Sequence, residues 1–100
     1  MAIRHLALIR VNGDTEAERT ELADELTALL EGLRTSVPNI LSLSVEPNAG
    51  THPTNWDLQL ICDFADLGQL DAYRVHPAHV ALVEVLDRYV AEIALIDTEI

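Results

Sequence analysis

Tyr73-Arg74-Val75-His76-Pro77-Ala78-His79 puts a phenol and two imidazoles on a tight turn just ahead of an apolar helical stripe. Histidine exchanges a proton near neutral pH, and the fixed φ of proline restrains the turn that carries the rings. Another imidazole, His5, lies in the first apolar run. An imidazole base beside a phenol donor can take a proton alpha to a carbonyl and support the developing enolate, so Tyr73, His76 and His79 of the turn together with His5 could make a small acid/base site. Each also has a structural use. His5 and His79 can bond each other or a nearby carbonyl, because buried polar groups find partners, and Tyr73 can pack with its hydroxyl hydrogen-bonded. His76 fits a structural role, braced beside Pro77 with its backbone ending a short helix. A metal reading needs a third ligand beside His76 and His79, and neither Cys62 nor Asp63 stands at a recognisable spacing. No metal or cofactor is expected. Gly13, Gly32, Gly50 and Gly68 form no phosphate-cradling motif, and no serine sits in a nucleophile elbow.

The elements that must position these groups follow from hydrophobic period. Ala2 to Val11 has no helical stripe and ends at Asn12-Gly13-Asp14, so it reads as a strand with His5 on the Ile3/Ala7/Ile9/Val11 face. Thr15-Glu16-Ala17-Glu18 has capping-box form and opens a helix with Leu22, Leu26, Leu29, Leu30, Leu33 and Val37 on one side, stopped by Pro38. Ile40 to Glu46 alternates as a half-buried strand, and the Pro- and Asn-rich segment from Pro47 to Asn55 is a loop. Trp56 to Ala65 is a third strand with Trp56, Leu58, Leu60, Cys62 and Phe64 on one face. Trp56 and Phe64 read as core, Cys62 as a small buried hydrophobe. Asp66 caps a short helical turn leading to Tyr73, and Leu82/Val85/Leu86/Tyr89/Val90/Ile93 form the next helical stripe. Leu95 to Ile100 is read as a last short strand.

Strand, helix, strand, strand, helix, strand in 100 residues predicts an α+β, ferredoxin-like βαββαβ domain spanning residues 1–100, with helices on one face of a four-stranded antiparallel sheet. On the other face the first strand would show Leu6 and Leu8, and the second Leu41, Leu43 and Val45 or their alternates. Apolar patches beyond about 300–600 Å² mark interfaces, so two such sheets are expected to pair face to face in a two-fold homodimer. The net charge of -11, with six dispersed arginines as the only Lys or Arg, opposes nucleic acid and anionic membranes as partners. One cysteine, no leader-like segment and no apolar run near the ~20 residues of a membrane span lead to the expectation of a cytoplasmic protein.

Several motifs occur in one order: Ile3-Arg4-His5-Leu6, Pro38-Asn39-Ile40-Leu41-Ser42-Leu43, Trp56-Asp57-Leu58, Phe64-Ala65-Asp66-Leu67, Leu70-Asp71-Ala72-Tyr73 and His76-Pro77-Ala78-His79-Val80. Over nearly the whole chain they resemble the stress-responsive A/B barrel (Dabb) family of the dimeric α/β barrel superfamily. The resemblance implies a homodimeric α/β barrel. Matched to cyclase-like members, it also implies that His5, Tyr73 and His79 face a cavity between sheet and helices. Those members use a further tyrosine on the first helix, where this chain has leucines and alanines. The implied role is binding of a small organic molecule. The alternative is a cofactor-independent polyketide cyclase, lyase or isomerase with a His/Tyr site, and a haem-binding or monooxygenase role comes third.

Overall fold

In the computed structural model, which describes residues 1–100, Ile3–Val11 is strand β1, its odd-numbered residues buried and the even-numbered ones half-exposed. Helix α1, Glu16–Ser36, begins where the Thr15 hydroxyl accepts the Glu18 amide at 3.1 Å. The Glu18 carboxylate reaches back to the amide of Asp14 rather than to that of Thr15, a capping box displaced by one residue. Gly13 makes the preceding turn at φ +127°, and a Cβ there would stand 2.9 Å from the Arg19 backbone nitrogen. Leu26, Leu30, Leu33 and Val37 bury the expected helical face, while Leu29 lies at its rim, 40% exposed.

The remaining elements are β2 (Ser42–Pro47), β3 (Leu58–Phe64), α2 (Leu67–Val75), α3 (Pro77–Val85), a 3₁₀ turn (Leu86–Arg88) and β4 (Val90–Glu99). The strands form one antiparallel sheet in the order β2-β3-β1-β4. The chain is thus a ferredoxin-like α+β domain, its core made by the odd face of β1, Leu43 and Val45 of β2, Leu58, Leu60, Cys62 and Phe64 of β3, and the inner faces of α1, α2 and α3.

Three expectations change. The helical stripe through Tyr89, Val90 and Ile93 ends early, because α3 stops at Val85 and β4 starts at Val90 rather than Leu95. Strand β1 runs nine residues, and β4 pairs along all of it from Ile3↔Glu99 to Val11↔Val90, so backbone pairing overrides the local period. In β2, Leu43 and Val45 face the helices and Leu41 precedes the strand, so the open face there carries Ser42, Ser44 and Glu46. Trp56 lies before β3 and is half-buried rather than core, with the Arg10 guanidinium 4.5 Å from its ring centre. The open face keeps Leu6, Leu8, Ile61 and Ile96, joined by the β1–β3 and β1–β4 registers.

Candidate functional site

Strand pairing sets the neighbours of His5. Its partner on β3 is Cys62 and its partner on β4 is Asp97, and directly paired residues project to the same face of a sheet. His5, 6% exposed, places Nδ1 2.6 Å from Asp97 Oδ1. The other oxygen, Oδ2, accepts from an Arg74 guanidinium nitrogen at 2.8 Å, and Arg74 also stands 3.5 Å from Asp71. Burial disfavours the Asp97 carboxylate, but the bonds from His5 and Arg74 outweigh it and hold the carboxyl below its usual range. An ionised carboxylate only accepts, so His5 Nδ1 carries the proton of this bond, and Nε2 is the ring nitrogen left without a protein partner.

Tyr73 comes from α2, capped where Asp66 accepts the Gln69 amide at 2.8 Å. Its ring centre lies 4.3 Å from His79, 6.1 Å from His5 and 5.1 Å from Phe64, so the phenol stands within ring-contact range of both imidazoles. Burial pushes the phenol well above its ordinary pKa, which leaves it a protonated donor through the neutral range. His79 donates Nδ1–H to the backbone carbonyl of Arg74 at 3.0 Å, so its lone pair is at Nε2. Burial lowers the pKa of His79. The Arg74 carbonyl opposes that shift, while the charges of His5 and Arg74 add to it. His79 is therefore neutral at pH 7, the state a general base needs.

The structure brings His5, Tyr73 and His79 together on the helix-facing side of the sheet. His76 does not join them. Its Nδ1 accepts the Ala78 amide at 3.1 Å and caps α3. Burial and the nearby Asp63 charge push the Cys62 thiol up to about 12, which makes it an inert filler beside His5. Sequence reasoning missed Asp97. Its one signal is an acid directly after Leu95 and Ile96 in the tail, and only the β1–β4 register sets it opposite His5. The two principal clefts, about 410 and 780 Å³, lie at the other end of the sheet, by the β2–β3 loop, and include none of the three residues. Phe64 packs on Tyr73, which is 2% exposed, but along β4 Ile93 and Leu95 remain 46% and 56% exposed on the helix-facing side.

A comparison with functionally curated protein sequences returns no match. Among solved structures, a dimeric ferredoxin-like protein from Bacteroides fragilis superposes with a TM-score of 0.83 at 24% identity, covering 99% of this chain and 96% of that one. A Dabb family protein from Mesorhizobium loti gives 0.73 at 19%, covering 99% and 96%. A hydroxynitrile lyase from Passiflora edulis gives 0.83 at 12%, covering 99% and 93%. The stress responsive A/B barrel domain family matches residues 3–100, a span that takes in every strand, the segments that carry His5 and His79, and Asp97. The chain belongs to that family.

Proposed function

We propose that this protein is a homodimer that binds a small, uncharged carbonyl compound beside His5, Tyr73 and His79 and carries out cofactor-independent acid/base chemistry on it, as a lyase, cyclase or isomerase. The observation that carries the reading is the chain from Arg74 through Asp97 to the buried His5 Nδ1, with bonds of 2.8 and 2.6 Å. For stability alone, apolar residues at these positions would avoid the desolvation that charged groups incur. An imidazole oriented by a carboxylate, with Nε2 left free, is useful to a reacting proton. Arg74 is already matched by Asp97 and Asp71, so no unpaired cation at this place calls for a carboxylate or phosphate ligand. His79 Nε2 would take the proton and the Tyr73 hydroxyl would hydrogen-bond the developing oxyanion. The exposed Ile93 and Leu95 offer the ligand an apolar wall next to Asp97 on the same strand face. The fold shared with a hydroxynitrile lyase supports lyase chemistry among the three.

The homodimer reading rests on Leu6, Leu8, Ile61 and Ile96 on the open face, and on the dimeric ferredoxin-like neighbour from Bacteroides fragilis. A second reading, binding without catalysis, draws on the burial of Tyr73 and on the distant position of the two main clefts. The deciding experiment follows binding and turnover of β-keto and cyanohydrin-type compounds by metal-free protein, comparing wild type with His79→Ala and Tyr73→Phe. Catalysis by His79 predicts a loss of about 10²–10⁴-fold in turnover with the fold retained. Tight binding without turnover selects the second reading. Undiminished turnover in both variants would take these residues out of the mechanism, and turnover lost on chelation and restored by a divalent ion would replace it with a metal reaction.

A further inference from the structure

We propose that Arg74 is the positioning residue for both imidazoles of the site, holding His5 through the Asp97 carboxylate and His79 through its own backbone carbonyl. This rests on the reading of His5 and His79 as the acid/base pair. The guanidinium and His5 take one oxygen each of Asp97, at 2.8 and 2.6 Å, so the plane of the carboxylate is pinned from both sides. Asp97 stands on an edge strand with its side chain 27% exposed, where a carboxylate held at one oxygen only could turn toward water. Pinned, it aims a single acceptor at His5 Nδ1.

The second half of the device lies in the turn. In an uninterrupted helix the Arg74 carbonyl would accept the amide of Ala78, four residues on. Here the chain breaks at His76-Pro77, and the Ala78 amide donates to His76 Nδ1 instead. The Arg74 carbonyl, left without a helical partner near the end of α2, accepts from His79 Nδ1 at 3.0 Å. His76 and Pro77 thus release the carbonyl that orients His79, and both rings end with Nδ1–H engaged and Nε2 free. The groups facing this arrangement are Asp71 on α2, Asp97 on β4, His5 on β1, and the protonated Tyr73 and Cys62, so Arg74 is the one permanent cation in it.

The test is long-range ¹H–¹⁵N correlation of the histidine side chains in ligand-free protein, so it is independent of turnover. Wild type is expected to show the Nδ1–H tautomer for both His5 and His79 when neutral. In Arg74→Met, His5 is expected to pass from one tautomer to comparable populations of both, and the Asp97 carboxyl to titrate closer to its ordinary range. His79 stays unchanged, because the peptide carbonyl survives the substitution. Arg74→Lys, which keeps the charge without the planar fork, restores part of the His5 pattern. If Arg74→Met does not fold, Arg74→Gln, with a neutral donor, carries the same comparison. An unaltered His5 tautomer in folded Arg74→Met or Arg74→Gln, or an Nε2–H tautomer of His79 in wild type, overturns the proposal and leaves the site reading standing. The expected pattern in a protein that turns over no carbonyl substrate supports the positioning role while removing catalysis from the site.

Discussion

At His79 and Asp97 the geometry has a thermodynamic consequence of one sign. His79 has a folded-state pKa below its unfolded value of about 6.5, so the unfolded chain binds more protons as pH drops below that value, and stability falls with it. Asp97 and Asp63 have lowered folded values, Asp63 through its bidentate Arg4 partner and Ser42 against the opposing effect of burial. Their contributions are complete above the unfolded carboxyl value of about 4 and are lost as pH falls through the folded values. Urea unfolding from pH 7.5 to 3 is expected to show declining stability, with the segment between about pH 6.5 and 5 flattened in His79→Ala relative to wild type. An identical slope in the variant would mean that His79 does not titrate as its burial dictates. Asp97→Asn is expected to lose about 1–2 kcal/mol at pH 7, toward the low end for charged hydrogen bonds because Arg74 is partly solvated. That difference should shrink as pH falls through the lowered folded value, where the wild-type carboxylate is itself being protonated. A constant difference across the range would assign the loss to packing instead.

Among the elements, the caps decide where the site residues stand. Asp66 starts α2, which carries Tyr73 and Arg74, and His76 starts α3, which carries His79. Because His76 accepts the Ala78 amide through Nδ1, a carboxylate or amide oxygen can take its place as a helix cap. His76→Asp is therefore expected to keep stability within about 0.5 kcal/mol, and His76→Ala to lose about 1 kcal/mol, measured by urea denaturation. Equal losses would point to ring packing rather than capping. The same turn explains what the sequence made visible and what it did not. Thr15 and Asp66 announce helix starts with local chemistry, and α1 and α2 begin where those residues say, whereas Pro77, read as part of the turn, is the first residue of α3. The boundary between α3 and β4 has no such mark. Tyr89, Val90 and Ile93 suit a helical stripe as well as a strand, and pairing to β1 resolves the ambiguity.

For the whole molecule, the proposed assembly turns on the open face of the sheet. Leu6 and Leu8 sit beside Ile61 and Ile96, and the Arg4–Asp63 pair on that face is already satisfied internally, with two bonds of 3.0 Å and a third from Ser42. That part of the surface can be buried without stranding a charge, while Glu46, which has no ion-pair partner, lies out on the β2 edge strand. Sedimentation equilibrium at micromolar concentration is expected to give a dimer of the 11.0 kDa chain. Leu6→Asp or Leu8→Asp should shift it toward monomer, because an unpaired buried carboxylate is costly. Glu25→Gln, which removes a solvated pairing to Arg88 3.5 Å away on the helix layer, should leave association unchanged. A monomeric wild type would contradict the homodimer, and equal effects of the leucine and glutamate changes would contradict the face.

Short-range physics carried the element order, the helix starts, the odd face of β1 and the placing of His5 on it, because caps, turns and alternation act over a few residues and leave their marks in the residues themselves. The grouping of His5, Tyr73 and His79 was legible only with the resemblance at the His-Pro turn added, since strand alternation says which face a histidine occupies and not which helix lies over it. Tertiary structure alone decided the rest. That β4 runs from Val90, that Leu43 and Val45 turn toward the helices, and that Asp97 stands opposite His5 are matters of register. Register is set by backbone hydrogen bonds between segments up to 96 residues apart, as in Ile3↔Glu99, and no local pattern encodes it.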